Sequence, residues 1–231
     1  MKKISILTIL FSFTIAGELE LGSSIPLGDV KMTDISGKIV SLNDVKMDNG
    51  LLVNFSCNTC PWVVAWQDRY NALAKASNNN KIGFITINQN ARTRNRGESL
   101  DNMRDFSKKY GHDFLYAVDK DSKLALAFGA THTPHIYLFN GSGKLVYRGA
   151  IDDNARKPSK VKNNYLMDAI KAVGKGKKVK VASTKSLGCE IKFAKNETEN
   201  ELRKENFIYS FLSSVRPVSY THLPLPTSDL V

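Results

Sequence analysis

The apolar positions of this chain form two kinds of pattern, short solid runs and longer stretches with helical period. Leu51-Leu52-Val53-Asn54-Phe55 and Ile82-Gly83-Phe84-Ile85-Thr86-Ile87 are solid runs of strand length, as expected of buried central strands. Between them, Pro61 to Ala76 sets Val63, Trp66, Tyr70 and Leu73 at helical spacing. Gln67, Asp68, Asn71 and Lys75 fall on the opposite side, and Asn78-Asn79-Asn80 stops the helix. Ser99 to Tyr110 repeats the period through Leu100, Met103 and Phe106 and ends at Gly111. The intervening Asn88 to Gly97 is polar, carries Arg92, Arg94 and Arg96, and reads as a loop.

Further along, Leu115–Val118 is a short strand and Ser122–Phe128 a short helix closed by Gly129. His135–Phe139 and Lys144–Arg148 flank Asn140-Gly141-Ser142-Gly143, which predicts a β-hairpin. Asn164–Val173 is a last helix, and a small hairpin around Gly37-Lys38 precedes the first long strand. The order β-α-β-α-β-α-β-β-α has crossovers early and a hairpin late. Crossovers make parallel neighbours and a hairpin adds an antiparallel pair. The expected fold class is α/β, a mixed central β-sheet with helices on both faces.

The two ends depart from this pattern. Lys2 and Lys3 precede an apolar run, Ile4 to Ala16, and small residues follow at Ala16 and Gly17. That is the layout of a signal peptide over residues 1–17, with the protein exported to the periplasm or beyond. The run is shorter than the roughly 20 residues of a spanning helix, so no membrane span is expected after cleavage. The domain is expected over 27–174, followed by a basic extension over 175–195. From Arg156 to Lys195 there are twelve Lys/Arg against two Asp/Glu, nearly the whole of the net charge of +11. Without interleaved aromatics or a helix-turn-helix pattern, this reads as a solvated lysine-rich stretch and not as a nucleic-acid site. Residues 196–231 lose the pattern, and 215–231 resemble translated sequencing-adapter sequence, so nothing functional is read from them.

The chemistry concentrates where the first long strand meets the first helix, at Cys57-Asn58-Thr59-Cys60-Pro61. Cysteines three apart at a strand-to-helix junction bring their sulfurs together at a helix start, where unpaired N–H groups favour a thiolate. Cys57, nearer solvent, is expected to attack a substrate disulfide, and Cys60, one step into the helix, to resolve the mixed disulfide. Pro61 suits a first-turn position because it has no N–H to satisfy. A four-thiolate zinc site is excluded because the chain has three cysteines; a static disulfide is the bland alternative. The third cysteine, Cys189, is a candidate third redox thiol or resolving partner, against the reading of an idle buried thiol. Asp68 and Asp119 are candidate buried acids for proton transfer to Cys60, each weighed against an ordinary surface role. No phosphate loop or dinucleotide fingerprint is present, so no cofactor is expected and electrons come from a thiol protein partner.

Three stretches carry a family resemblance: SCNTCPWVVAWQDR, AFGATHTPHIYLFNGSGKLVYRGAIDDN and LGCEIKF. Over about Leu27 to Phe193 the chain resembles exported redoxin-type thioredoxin-like proteins related to the alkyl hydroperoxide reductase/thiol-specific antioxidant group. The resemblance implies a thioredoxin-like fold, thiol–disulfide chemistry at Cys57 and Cys60, and a cis Pro134 after Thr133 lying against the pair. Trp62 stands where tyrosine is common, and His135 where an acidic residue is common.

Three functions compete. The first is a thiol–disulfide oxidoreductase acting on exported protein or small-molecule disulfides. The second is a thiol peroxidase, whose cysteine ordinarily ends a P-x-x-x-T/S-x-x-C pattern. Counted back from Cys57 the pattern positions hold Gly50 and Asn54, and from Cys60 they hold Val53 and Cys57, so neither cysteine fits. The third is a copper chaperone using Cys57, Cys60, His132 and His135. Its bland counterpart has one histidine in solvent and the other packed in the sheet. Trp62 and Trp66 read as helix residues, with Trp62 a candidate for the substrate-facing surface.

Overall fold

The computed structural model describes residues 17–194. The signal-peptide reading of residues 1–17, apart from Gly17, and everything read from 196–231 lie outside the described residues. The elements in order are β1 (Met32–Asp34), β2 (Ile39–Val40), α1 (Leu42–Val45), β3 (Gly50–Ser56), α2 (Pro61–Ala65), α3 (Gln67–Asn79), β4 (Ile82–Asn88), α4 (Leu100–Tyr110), β5 (Leu115–Val118), α5 (Lys123–Phe128), β6 (His132–Thr133), β7 (His135–Asn140), β8 (Leu145–Gly149), α6 (Tyr165–Gly174) and β9 (Cys189–Glu190). Seven strands form a mixed sheet in the order β2-β1-β5-β4-β3-β7-β8. β3, β4 and β5 are mutually parallel, and β7 returns antiparallel to β3 from Gly50↔Asn140 to Phe55↔His135.

Alternation along β3 explains its solid apolar run. Leu52 faces a core built with Val63, Trp66, Tyr70, Leu166 and Ile170. Leu51, Val53 and Phe55 face the opposite core, with Leu124, Phe128, Tyr137 and Phe139. Every residue of β3 and β4 is buried, as helices on both faces require. Within the second core Phe55 meets Phe128 and Tyr137 edge-on at centroid distances of 5.1 and 5.8 Å.

The helix expected over 61–76 is two helices, α2 and α3, separated at Trp66, whose φ of −102° and ψ of 6° leave the helical region. Trp66 is wholly buried and its Nε1 donates to Asp152 Oδ1 at 2.8 Å. Gln67, expected outside, is buried, with Nε2 donating to the Val63 carbonyl and Oε1 2.7 Å from His112 Nε2.

The basic stretch is more than a solvated extension. Lys175, Lys177, Lys178, Lys180 and Lys185 are exposed as expected, but the backbone between them docks on the domain. Arg148 N donates to Ala182 O and Thr184 N donates to Arg148 O, along β8. The chain then turns so that β9 pairs antiparallel with β6, Thr133 opposite Cys189.

Candidate active site

β3 delivers Cys57 to the end of the sheet, and Pro61 starts α2 four residues later. Cys60 is the residue preceding the helix, with an extended backbone (φ −78°, ψ 122°), and is not within its first turn. Its sulfur lies 3.2 Å from the Thr133 carbonyl and 2.7 Å from Cys189 Sγ; Cys57 Sγ lies 3.3 Å from Thr133 Oγ1. All three cysteines are free thiols, and the Thr133–Pro134 peptide bond is cis. Thr133 therefore sits between the three sulfurs, with its hydroxyl on Cys57, its carbonyl on Cys60 and its strand partner Cys189.

Neither thiol of the pair faces solvent: Cys57, expected to be the nearer to it, is 1% exposed and Cys60 3%, whereas Cys189 is partly exposed. The hydrogen bond it gives Cys60, its burial and the negative charge of Glu98 all push the Cys57 thiol well above the ordinary range. Cys60 goes the other way, to about 4, because Cys57 donates to it, helped by Cys189 and the backbone N–H of Val63. Burial and its bond to Cys60 raise Cys189 to about 11. The neighbouring thiols thus lower Cys60, and the Val63 N–H, in the first turn of α2, adds the helix-start contribution expected from sequence.

Below the pair lies a polar network absent from the expectations. Glu98, fully buried, accepts from Asn58 N (2.9 Å), Thr59 N (3.2 Å), Thr59 Oγ1 (2.6 Å) and Asn88 Nδ2 (2.6 Å). Its carboxylate occupies the free amides of the Cys-x-x-Cys turn. Asn58 is fixed further by donating to Gly97 O and accepting from Tyr116 OH. Arg94 donates to Asn88 Oδ1, Asn88 O, Glu98 O and Asp119 O. The segment expected to be a polar loop, Asn88–Gly97, begins with three buried residues, Asn88, Gln89 and Asn90. A topological signal was available: β3 and β4 are parallel neighbours with Ser56 opposite Asn88, so residues just past both ends share one crevice.

The AhpC/TSA family profile matches residues 22–148, more than half of the chain. The chain belongs to the AhpC/TSA family. Among solved structures, this redoxin resembles a hypothetical protein from Sinorhizobium meliloti at 31% identity and a TM-score of 0.70, covering 78% of this chain and 98% of that one. An uncharacterised conserved protein from Geobacillus kaustophilus matches equally, at 31% and 0.70, covering 77% and 94%. Peroxidoxin BcpB from Mycobacterium tuberculosis, at 12% identity and a TM-score of 0.52 over 69% and 98%, shares the thioredoxin-like fold. No curated protein matches the chain. Family and fold together give this redoxin a general thiol redox role.

The other candidate residues of the redoxin lie apart from the sulfurs or serve them indirectly. His135 is buried in β7, with Nε2 2.8 Å from Glu18 Oε1 and Nδ1 3.4 Å from both Thr131 N and Tyr137 OH. His132 Nδ1 lies 2.8 Å from Thr131 Oγ1. Alternation along β7 turns His135 to the face of Glu18, and among the described residues no three His, Cys, Asp or Glu side chains are grouped so as to hold a metal ion. Asp119 is buried, but its carboxylate accepts from Ala125 N at the start of α5, and burial raises its pKa. Asp68 is half-exposed and pairs with Arg69. Among the described residues neither acid hydrogen-bonds a cysteine; Glu98 is the carboxylate bound to the turn. Trp62 is partly buried, with the Arg156 guanidinium 5.7 Å from its ring centre. No described helix is long and apolar enough to cross a membrane.

Proposed function

We propose that this redoxin is a thiol–disulfide oxidoreductase that exchanges disulfides through Cys57 and Cys60, and that it works on exported proteins after loss of residues 1–17. One observation carries the reading: the two cysteines of the pair meet the same residue, Cys57 Sγ 3.3 Å from the Thr133 hydroxyl and Cys60 Sγ 3.2 Å from the Thr133 carbonyl, beside the cis Thr133–Pro134 bond. A thiolate next to a thiol performs both halves of disulfide exchange, attack and resolution.

Peroxidase chemistry has less support. Such a cysteine ordinarily relies on a nearby threonine or serine hydroxyl three residues upstream, and upstream of Cys60 that position is Cys57 itself. The test is equilibration of Cys189→Ser against glutathione redox buffers with mass-spectrometric trapping. A reversible two-electron couple at Cys57–Cys60 is expected. Rapid sulfenic acid formation with hydrogen peroxide, together with no closure in glutathione disulfide, overturns the reading in favour of a peroxidase.

A further inference from the structure

The three sulfurs are not equivalent in access. Cys57 and Cys60 are 1% and 3% exposed, while Cys189 is partly open to solvent and 2.7 Å from Cys60 Sγ. That contact is built by backbone pairing. β9 is held to β6 with Cys189 opposite Thr133, Ile191 N donates to Thr131 O, Lys192 N donates to Asn90 Oδ1 and Arg92 N donates to Lys192 O. Gly188 lets the strand approach: a Cβ there would lie 2.2 Å from the Thr133 carbonyl oxygen. Ile191 is buried in the core beside β3, pinning the far side. A shallow depression of about 360 Å³ is lined by Trp62, Asn154, Arg156 and Leu187 among others. Trp62 lies two residues after Cys60 and Leu187 two residues before Cys189.

We propose that Cys189 is the outer thiol of a three-cysteine relay in which Cys60 is the pivot, so that the protein forms two alternative disulfides, Cys57–Cys60 and Cys60–Cys189, and meets its disulfide partners through the second. The proposal rests on the thiol–disulfide reading of the pair. In the outer step, Cys189, as its thiolate, attacks one sulfur of a partner disulfide. A Cys189–partner bond forms, the partner's S–S bond breaks, and the other partner sulfur leaves as a thiolate. Cys60 then attacks Cys189 Sγ, giving the Cys60–Cys189 disulfide and releasing the second partner sulfur. Two enzyme thiols have lost two electrons, the partner disulfide has gained them, and two protons have passed to the released thiols. In the inner step Cys57 attacks Cys60 Sγ. The Cys57–Cys60 bond forms, the Cys60–Cys189 bond breaks, and one proton passes from Cys57 to Cys189 with no net electron change. The buried pair thereby stores the disulfide away from solvent, and the outer pair exposes it for transfer.

The experiment compares wild type, Cys57→Ser and Cys189→Ser, each equilibrated with glutathione disulfide. Free thiols are counted and disulfides mapped by proteolysis and mass spectrometry. The relay predicts that both single variants lose both remaining thiols, Cys57→Ser as Cys60–Cys189 and Cys189→Ser as Cys57–Cys60. Oxidised wild type keeps one free thiol per chain, and alkylation finds it at Cys57 in some molecules and at Cys189 in others. Closure in Cys189→Ser but not in Cys57→Ser overturns the relay and leaves the two-cysteine oxidoreductase standing. Closure in Cys57→Ser alone refutes the Cys57–Cys60 pair and with it the exchange; closure in neither removes both readings. Cys57→Ala serves as the second variant in case serine at this buried position unfolds the protein, with circular dichroism as the check.

Discussion

Replacing Glu98 by glutamine removes one charge and almost no volume, and four hydrogen bonds decide the consequence. The carboxylate accepts from Asn58 N, Thr59 N, Thr59 Oγ1 and Asn88 Nδ2, at 2.6–3.2 Å. A glutamine carbonyl can keep the two Thr59 bonds, but its NH₂ then faces two donors, Asn58 N–H and Asn88 Nδ2. Asn88 cannot turn its own amide over to compensate, because its Oδ1 already accepts from Asn90 N and Arg94 Nη1. Two hydrogen bonds to a charged group are lost at about 1.5–3 kcal/mol each, offset in part because a neutral amide is cheaper to bury, for a net loss of about 2–4 kcal/mol. In a domain of this size that lowers Tm by about 5–15 °C. Urea denaturation with unchanged m-value measures it, and Thr59→Val, which deletes only the hydroxyl bond, is expected to cost about 1 kcal/mol. The same substitution removes one of the causes that raise the Cys57 thiol, so alkylation of Cys57 in unfolding-free conditions begins at lower pH than in wild type. A Glu98→Gln protein within about 0.5 kcal/mol of wild type, and with unchanged Cys57 alkylation, refutes the view that this carboxylate holds the turn.

Asp152→Ala leaves the Trp66 Nε1 and Arg69 Nε without their acceptor, at 2.8 and 3.1 Å, and is expected to cost about 3 kcal/mol in chemical denaturation. His112, hydrogen-bonded to Gln67 and stacked on Phe114, is lowered to about 4 by burial, so the unfolded chain binds its proton more readily. Its contribution is therefore complete above about pH 6.5 and is lost as pH falls toward 4, by about 1–2 kcal/mol after allowing for partial exposure; His112→Leu flattens that slope in urea titrations. Gly188→Ala forces the β9 strand off the Thr133 carbonyl and is expected to shift oxidised protein toward Cys57–Cys60, read as a fall in the mapped Cys60–Cys189 peptide. With its thiol lowered to about 4, Cys60 is expected to keep a pH-independent alkylation rate between pH 6 and 8, whereas Cys189, raised to about 11, speeds up roughly tenfold per pH unit over the same range.

Elements whose partners lie close in sequence could be read from the chain. β5 runs from Leu115 to Val118, as its apolar run predicts, and α5 ends on Gly129 with φ of 61°, as a left-handed helix end requires. The hairpin of β7 and β8 arises from its Asn-Gly-Ser-Gly turn. The misread elements depended on distant partners. Trp66 carries the right hydrophobicity for a helix face, but its N–H seeks Asp152, eighty-six positions later, and the helix breaks there. Gln67 looks like a surface residue until His112 supplies its hydrogen bond.

The same reasoning accounts for the partial legibility of the candidate site. Cys57 and Cys60 are visible because their spacing is local, and Thr133-Pro134 because a family pattern carries it. Glu98 is invisible locally: a lone glutamate after Arg94, Arg96 and Gly97 reads as a solvated charge, and only the parallel register of β3 and β4 shows that it lies beneath the cysteine turn. Cys189 is a sharper case. Its distance of 129 positions from Cys60 gave no ground for pairing them, and the lysines around it pointed to solvent. The backbone of that stretch nonetheless spends its hydrogen bonds on β8 and β6, because an extended segment crossing the open edge of a sheet must satisfy its N–H and C=O groups somewhere. Charge in the side chains and order in the backbone are separate properties, and it is the second that brings a third sulfur to the pair.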